Sequence, residues 1–182
     1  MNKILKKLKI STIIISMSIL AIIFSSAIGC LGYFNMKKVN DNSKDMYHNI
    51  TMPISYIGSL RADFLSIRIC VNKSITNYSS NNDTKVNELD DRIEKSLKAY
   101  LATELDSADK EGLDKFQKYY ADYMNLWNKD QPLLAKGEKI SYEDAKTFES
   151  IGESIETTLK GLKDYNVDWA TKTDSENDTV YA

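Results

Sequence analysis

The sequence predicts an all-α protein, a membrane-anchored and antiparallel up-down-up-down four-helix bundle. Three observations lead to this fold class. The 182 residues include only 7 glycines and 2 prolines, which leaves few of the breaks that separate short β-strands. One apolar run near the N-terminus is long enough to cross a bilayer. After that run, apolar residues recur in alternating steps of three and four, the spacing of packed helices.

The first element is the apolar run of residues 10–34, which contains 25 residues without a charge. A hydrocarbon core needs about 20 helical residues. Four lysines precede the run, and all 26 acidic residues lie at Asp41 or later. Because cytoplasmic flanks of membrane helices are rich in lysine and arginine, we expect residues 1–9 to be a cytoplasmic basic tail. Residues 10–34 are then a transmembrane helix, and residues 35–182 form an extracytoplasmic domain at the cell membrane.

Two other interpretations of this run remain open. A cleaved signal peptide has a shorter apolar stretch ending in small residues, whereas bulky side chains here continue to Phe34. Residues 27–30, with the sequence Ala-Ile-Gly-Cys, also look like a lipoprotein cleavage box that would make Cys30 the acylated N-terminus. That box usually begins with leucine and is followed by a polar tether, so an uncleaved anchor fits the run best.

The first bundle helix is predicted to continue to about Tyr78. Its apolar seam alternates steps of four and three: Met46, Ile50, Pro53, Ile57, Leu60, Phe64, Ile67, Val71, Ser74 and Tyr78. Pro53 removes one backbone donor and should bend or loosen this helix. The second helix, about residues 84–105, follows the cap candidates Asn82 and Asp83. Its apolar face carries Val86, Leu89, Ile93, Leu97, Tyr100 and Leu101.

The third helix is predicted to begin near Ser107 and to stop at Gly137. We expect its seam to be core packing: Leu113, Phe116, Tyr120, Tyr123 and Trp127. The fourth helix opens with a capping box of Ser141 and Asp144. It continues the spacing through Ala145, Phe148, Gly152, Ile155, Leu159, Leu162, Asn166 and Trp169. Breaks of about 2 to 6 residues make successive helices antiparallel neighbours.

Catalytic and metal-binding patterns are missing from the sequence. His48 is the only histidine, so a Cys-His or Ser-His-Asp site would have to use it, and it lies just outside the predicted membrane helix, 22 residues from Cys70. No pair of Cys or His residues has the spacing of metal ligands. We therefore expect no enzyme activity, no metal and no cofactor. The formal net charge of −2 offers no basic excess for phosphates. Nucleic acid is consequently not an expected partner.

Arg61 and Arg68 are the candidate ligand-binding residues. They lie seven positions apart, each directly after a seam residue, so both flank the apolar stripe on the same side. A guanidinium group can bind a carboxylate with two parallel hydrogen bonds. One interpretation is therefore a small anionic ligand. The other is that both arginines pair with acidic residues of a neighbouring helix.

One segment of the first helix resembles a known family. Residues 46–54 read Met-Tyr-His-Asn-Ile-Thr-Met-Pro-Ile, and they are followed by Ile57-Gly58-Ser59-Leu60-Arg61 and Ile67-Arg68. This pattern resembles the start of the four-helix-bundle ligand-sensing domain of methyl-accepting chemotaxis proteins, of which the chain matches the N-terminal, sensory half. The departure is that no second membrane helix, linker domain or methylated hairpin lies within the 182 residues.

The resemblance implies a transmembrane chemoreceptor that binds a small molecule outside the cell and signals by a small helix displacement. The resemblance also favours a ligand-binding role for Arg61 and Arg68 over salt bridges. The aspartate-type receptors of this family use arginines of the first helix at the dimer interface. A homodimer is expected independently, since the first seam is longer than its shorter partners can cover, and Cys70 would lie beside that interface. The alternatives are the sensor domain of a histidine kinase or cyclase, and a membrane-tethered structural or adhesion protein.

Overall fold

The structure is a computed structural model that describes residues 10–181, with side chains described for residues 10–172. The expected basic tail of residues 1–9 therefore lies outside the described residues. Across the described range the secondary structure is helical with short connections, and it contains no strand. The chain divides into two compact units, Met1–Asp45 and Met46–Ala182.

Helix α1 (Ile10–Met46) makes up the described part of the first unit. Within the described range it contains the one stretch that is long and apolar enough to cross a membrane. No residue of α1 is buried, and large apolar side chains such as Ile14, Phe24 and Phe34 are exposed. Exposing this much apolar surface to water is costly. The surface is consistent with the expected anchor, whose topology stays a prediction.

The second unit begins with a π-helical segment (Tyr47–Thr51) and continues with four α-helices. These are α2 (Met52–Thr76), α3 (Ser80–Leu101), α4 (Ser107–Ala135) and α5 (Tyr142–Tyr181). The closest backbone packing is between α2 and α3, between α4 and α5, and between α2 and α5. The predicted antiparallel four-helix bundle is confirmed.

The bundle core is formed by the predicted seams. Fully buried positions of α2 are Ile57, Leu60, Phe64, Ile67 and Val71. The aromatic seam of α4 is buried as expected: Phe116, Tyr120, Tyr123 and Trp127. Three predicted seam positions are wrong, because Met46 is 37% exposed, Leu101 is 43% exposed at the last residue of α3 and Trp169 is 38% exposed on α5. Three carboxylates that the apolar pattern did not predict are also buried: Asp63, Asp109 and Asp130.

Pro53 has a local effect on the helix that it enters. The preceding segment is π-helical, and the backbone N–H of Met52 donates to the carbonyl of Tyr47, five residues earlier. Proline supplies no N–H, so a carbonyl one turn before it loses its α-helical donor and the turn widens. The predicted loosening at Pro53 therefore takes the form of one wide helical turn.

The helix ends differ from the prediction between α2 and α3. Helix α3 begins at Ser80, so Asn82 and Asp83 lie inside its first turn and are not its caps. Asn82 donates instead to the Ser74 hydroxyl at 3.1 Å. The capping box of α5 is confirmed, since the backbone N–H of Asp144 donates to Oγ of Ser141 at 2.9 Å. Gly137 follows α4 with a φ of 78°, where glycine avoids the penalty of a Cβ.

Cys70 lies in the core of the bundle and is 9% exposed. It was expected beside a dimer interface, where oxidation would link two copies. Its burial corrects that placement, because a thiol inside the bundle is not accessible to a second chain. The homodimer itself stays a prediction.

Helices α4 and α5 approach closely where Gly112 faces Leu162. A Cβ on Gly112 would lie 2.7 Å from Cγ of Leu162, whereas a Cβ on Gly161 would meet nothing within 4 Å. We expect Gly112→Ala to lower the free energy of unfolding by about 1 to 2 kcal/mol through overpacking. Gly161→Ala should raise it by about 0.5 to 1 kcal/mol through helix propensity. Chemical denaturation measures both, and stabilisation by both substitutions would contradict the close approach.

Candidate functional site

Arg68 connects α2 to α5. Its Nη1 donates to Oε1 of Glu156 in an ion pair, and the two side chains are 22% and 29% exposed. The guanidinium lies across Gly152, where a Cβ would be 2.7 Å from Nε of Arg68. Burial raises the pKa of Tyr123, and the charge of Arg68 opposes that rise, so the cation is within electrostatic reach of the core. Gly152 therefore leaves the space that Arg68 occupies.

Arg61 lies on the same flank of α2 but faces an open groove. The groove has a volume of about 520 Å³ and is lined by Ile54, Ile57, Gly58, Arg61, Ala62 and Leu65 of α2 and by Lys163 of α5. Both polar lining side chains are cationic, and the described lining includes no carboxylate. Apolar walls with two cationic side chains are chemically suited to an anion that also carries some apolar surface.

The structure thus gives the two predicted ligand residues different surroundings. Both face α5, but they are seven residues and about 10 Å apart along α2. Arg68 has the acidic partner of the second interpretation, whereas Arg61 shares its groove with Lys163. Sequence reasoning missed Lys163. Its signal was available, because Lys163 follows the seam residue Leu162 as Arg61 follows Leu60.

A buried polar network joins three helices near the start of α4. The Tyr100 hydroxyl of α3 donates to Oδ1 of Asp109 at 2.8 Å. Asn166 of α5 donates to the same oxygen at 2.7 Å and to the Tyr100 hydroxyl at 3.2 Å. Burial and the carboxylate of Asp109 raise the pKa of Tyr100, so this hydroxyl keeps its proton. The network fixes α5 against both α3 and α4.

Further tyrosine and arginine contacts to carboxylates hold the other helix pairs. Tyr120 of α4 donates to Oδ1 of Asp90 on α3 at 2.6 Å. Asp90 is half-buried. Arg92, the third arginine of the chain, lies 2.7 Å from Oδ1 of the buried Asp63 on α2. Arg92 is therefore a structural ion-pair partner, since a buried carboxylate without a partner is costly.

Asp130 is a buried carboxylate whose loss of hydration is poorly compensated by hydrogen bonds or ion pairs. It is 0% exposed, and neither oxygen has a hydrogen-bond partner among the described residues. Lys129 Nζ lies 3.7 Å from Oδ1, beyond hydrogen-bonding distance, and is 2.8 Å from Oδ1 of Asp144. Burial, reinforced by the charge of Asp144, raises the pKa of Asp130.

No group of three His, Cys, Asp or Glu side chains in the described part of the chain is placed to hold a metal ion. His48 lies on the π-helical segment and is exposed, whereas Cys70 is buried. Nothing in the described geometry assembles a nucleophile with a base. The expectations of no metal and no cofactor stay predictions.

Comparison with known protein families matches residues 7–181 to a four helix bundle sensory module for signal transduction. The match covers nearly the whole chain and includes all four bundle helices. No characterised protein and no solved structure gave a match.

The surroundings of Asp130 predict a pH dependence of stability. The folded protein holds the Asp130 proton more tightly than the unfolded chain does, because the folded-state pKa is raised. The contribution of this group to stability is therefore fully present below the unfolded pKa and is lost as the pH rises through the folded pKa. We expect Asp130→Asn to raise the free energy of unfolding at pH 7 by on the order of 1 kcal/mol.

Denaturation of wild type and Asp130→Asn between pH 4 and pH 7.5 measures this effect. The difference between the two proteins should shrink towards the acid end. Asp122→Asn, an exposed position on the same helix, is the control and should follow the wild type. A destabilised Asp130→Asn with an unchanged pH profile would contradict the prediction.

Proposed function

The chain belongs to the family of four-helix-bundle sensory modules for signal transduction, and we propose that it is the ligand-sensing domain of a transmembrane chemoreceptor. In this proposal residues 35–182 lie outside the cell, act as a homodimer and signal without chemistry of their own. The groove of Arg61 and Lys163 is the observation that carries the proposal. It lies where α2 meets α5, so a bound molecule contacts two helices at once.

The chemistry of the groove favours an anionic ligand. Arg61 can bind a carboxylate with two parallel hydrogen bonds, and Lys163 adds a point charge from the facing helix. Ile54 and Leu65 supply apolar surface for the rest of the ligand. A small carboxylic acid, such as an amino acid or a dicarboxylate, fits this combination.

Arg68 has a separate role in this proposal. An anion bound beside Arg61 adds negative charge on the flank of α2 where Arg68 pairs with Glu156. The anion can then compete with Glu156 for Arg68 and so favour a different packing of α2 on α5. A ligand acts by preferring one of two packings. In packed helices the available change is a shift of about 1 to 2 Å.

Helix α5 is the proposed moving element. Gly152 presents no side chain beneath Arg68, and Gly161 has open space where a Cβ would be. The flexible side chain of Arg68 fills the space over Gly152, and the space over Gly161 is open, so a shift of α5 at these positions requires movement of a side chain and not of backbone. Helix α5 contains two glycines, whereas α2 contains Gly58 alone and α4 contains Gly112 alone.

The same sensory module attached to a histidine kinase or cyclase is the alternative within signalling. A membrane-tethered structural or adhesion protein is the alternative outside it. The reading frame after residue 182 separates them. A second apolar run of about 20 residues followed by long heptads with Glu and Gln pairs supports a chemoreceptor. A stop codon directly after residue 182 would contradict both receptor proposals.

We predict that Arg61→Ala and Lys163→Ala each weaken binding of a carboxylic acid by about 1.5 to 3 kcal/mol, the contribution typical of a hydrogen bond to a charged group. Glu156→Gln should strengthen binding if the anion reaches Arg68, because it removes the competing carboxylate. Arg68→Ala should then weaken it. Calorimetric titration of residues 36–182 against a panel of amino and organic acids measures each change.

Arg92→Ala serves as the control for loss of an arginine, because Arg92 pairs with Asp63 away from the groove. It should leave the affinity unchanged in protein that remains folded by circular dichroism. Undiminished affinity in Arg61→Ala and Lys163→Ala would remove this groove from the proposal. Undiminished affinity in Arg68→Ala would leave Arg68 as an ion-pair partner alone.

The proposed topology predicts which cysteines an impermeant thiol reagent reaches on intact cells. Glu138 lies in the exposed connection between α4 and α5. A Glu138→Cys substitution in a Cys30→Ser background should be labelled without lysis, while the buried Cys70 stays unlabelled. Labelling of Glu138→Cys only after lysis would reverse the orientation and contradict an extracytoplasmic sensor.

A further inference from the structure

A second groove lies where the π-helical segment faces the turn between α3 and α4. Its volume is about 530 Å³, within the range of small-molecule sites. The side chains that line the groove include Tyr47, His48, Met52, Tyr56, Thr103 and Glu104. This groove shares no lining residue with the groove of Arg61 and Lys163.

The lining of this groove has the opposite chemistry to the first. Three aromatic side chains line it, Tyr47, His48 and Tyr56, and Tyr47 meets His48 edge to face at 5.3 Å. Glu104 is the carboxylate of the groove, and the described lining includes no lysine or arginine. Aromatic faces attract cations, and quaternary ammonium groups are recognised in this way. A carboxylate beside aromatic rings is suited to a positive charge.

We propose that this groove binds a small organic ammonium ion, whose charge lies between the carboxylate of Glu104 and the rings of Tyr47 and Tyr56. Met52 supplies a polarisable apolar surface for the alkyl part of such a ligand. The wide turn of residues 47–51 is part of the site, since it carries Tyr47 and His48.

The floor of the groove is connected to the buried network at Tyr100. The ring of Tyr56 packs against the ring of Tyr100 at 6.4 Å. Thr103 donates through its hydroxyl to the Tyr100 carbonyl at 2.7 Å. The hydroxyl of Tyr100 in turn shares Oδ1 of Asp109 with Asn166 of α5. Two groove residues therefore contact the residue that fixes α5.

Through this connection, an ammonium ligand bound at the end of the bundle can change the packing of α5 against α3 and α4. In this proposal a ligand that orders Tyr56 or displaces Thr103 shifts Tyr100, whose hydroxyl is hydrogen-bonded to Asp109 of α4 and Asn166 of α5. The role in signalling rests on the proposed sensory function. Binding itself does not, because it depends on neither Arg61 nor Arg68.

The test uses the full chain in maltoside detergent, which carries no ammonium group, and choline as the probe. Its neutral isostere 3,3-dimethylbutan-1-ol differs only in replacing the charged nitrogen by carbon. Calorimetric titration should show choline binding about tenfold or more tightly than the alcohol, as expected of a cation–π and carboxylate site. Glu104→Gln and Tyr47→Leu should each weaken choline binding about five- to tenfold.

Tyr47→Phe is the matched control, because it keeps the ring and removes only the hydroxyl. It should bind choline as the wild type does. Arg61→Ala should also bind choline normally, which separates this site from the anion groove. If Arg61→Ala abolishes carboxylic-acid binding while choline still binds, both sites are supported. If carboxylic acids do not bind at all, the choline result still stands by itself.

Zwitterionic lipids carry the same ammonium chemistry in their headgroups. Repeating the titration in nanodiscs of phosphatidylcholine and of phosphatidylglycerol distinguishes the two sources. Weaker choline binding in phosphatidylcholine supports a lipid headgroup as occupant, and equal binding supports a free solute. The proposal is overturned if choline fails to bind in detergent, if the alcohol binds equally well, or if Glu104→Gln and Tyr47→Leu both retain wild-type affinity.

Discussion

The buried seam of α2 is the constraint on which the rest of the bundle depends. Its apolar positions are fully buried, and α2 packs closely against both α3 and α5. A helix enclosed on two sides cannot shift without opening two interfaces, because protein cores are close-packed. Helix α5 also packs against two helices, α4 and α2, and its contact with α2 includes an ion pair over Gly152 and a groove that contains Lys163. In the proposed function, α2 is the rigid reference, and a ligand bound between α2 and α5 changes the packing of these two helices.

Polar contacts determine how freely α5 can respond. Near the start of α4, Asn166 connects α5 to Tyr100 and Asp109 inside the core. Beside that network, Tyr165 donates to Asp106, and this contact raises the pKa of Tyr165 to about 12. Buried hydrogen-bonded networks of this kind are costly to break partway. Movement of α5 is thus expected between discrete arrangements of these contacts. The two grooves lie against different parts of this system: one is lined by Arg61 and Lys163 between α2 and α5, and the other is lined by Tyr56, whose ring packs against Tyr100.

The apolar spacing was sufficient to predict the four helices and nearly all of their core positions. Such spacing is a local property, since each seam residue is identified by its distance from the next one along the helix. The errors occurred where contacts between helices determine the helix ends, the side-chain partners or the burial of a residue. Asn82 and Asp83 have the chemistry of helix caps but bind Ser74, Tyr78 and Gln131 instead. The acidic partner of Arg68 could not be identified from the sequence, because it depends on the register of α2 against α5. The position of Lys163 directly after a seam residue was visible in the sequence, but only that register shows that Lys163 lines the groove of Arg61. Buried Asp130 was missed for the same reason, since its burial comes from other helices and not from its own sequence neighbours.

The central claim is that ligand binding changes the packing of α5 against α2, and a spin-label distance tests it most directly. Asn72 on α2 and Glu153 on α5 are exposed positions for the two labels. Both can be replaced by cysteine in a background without Cys30, and the labelled chain can be diluted with unlabelled chain so that only distances within one copy are measured. Pulsed electron resonance is then recorded with and without a saturating amount of the compound that binds most tightly in calorimetry. The account predicts a change of about 1 to 2 Å in the mean distance. Identical distance distributions with the ligand bound would contradict it.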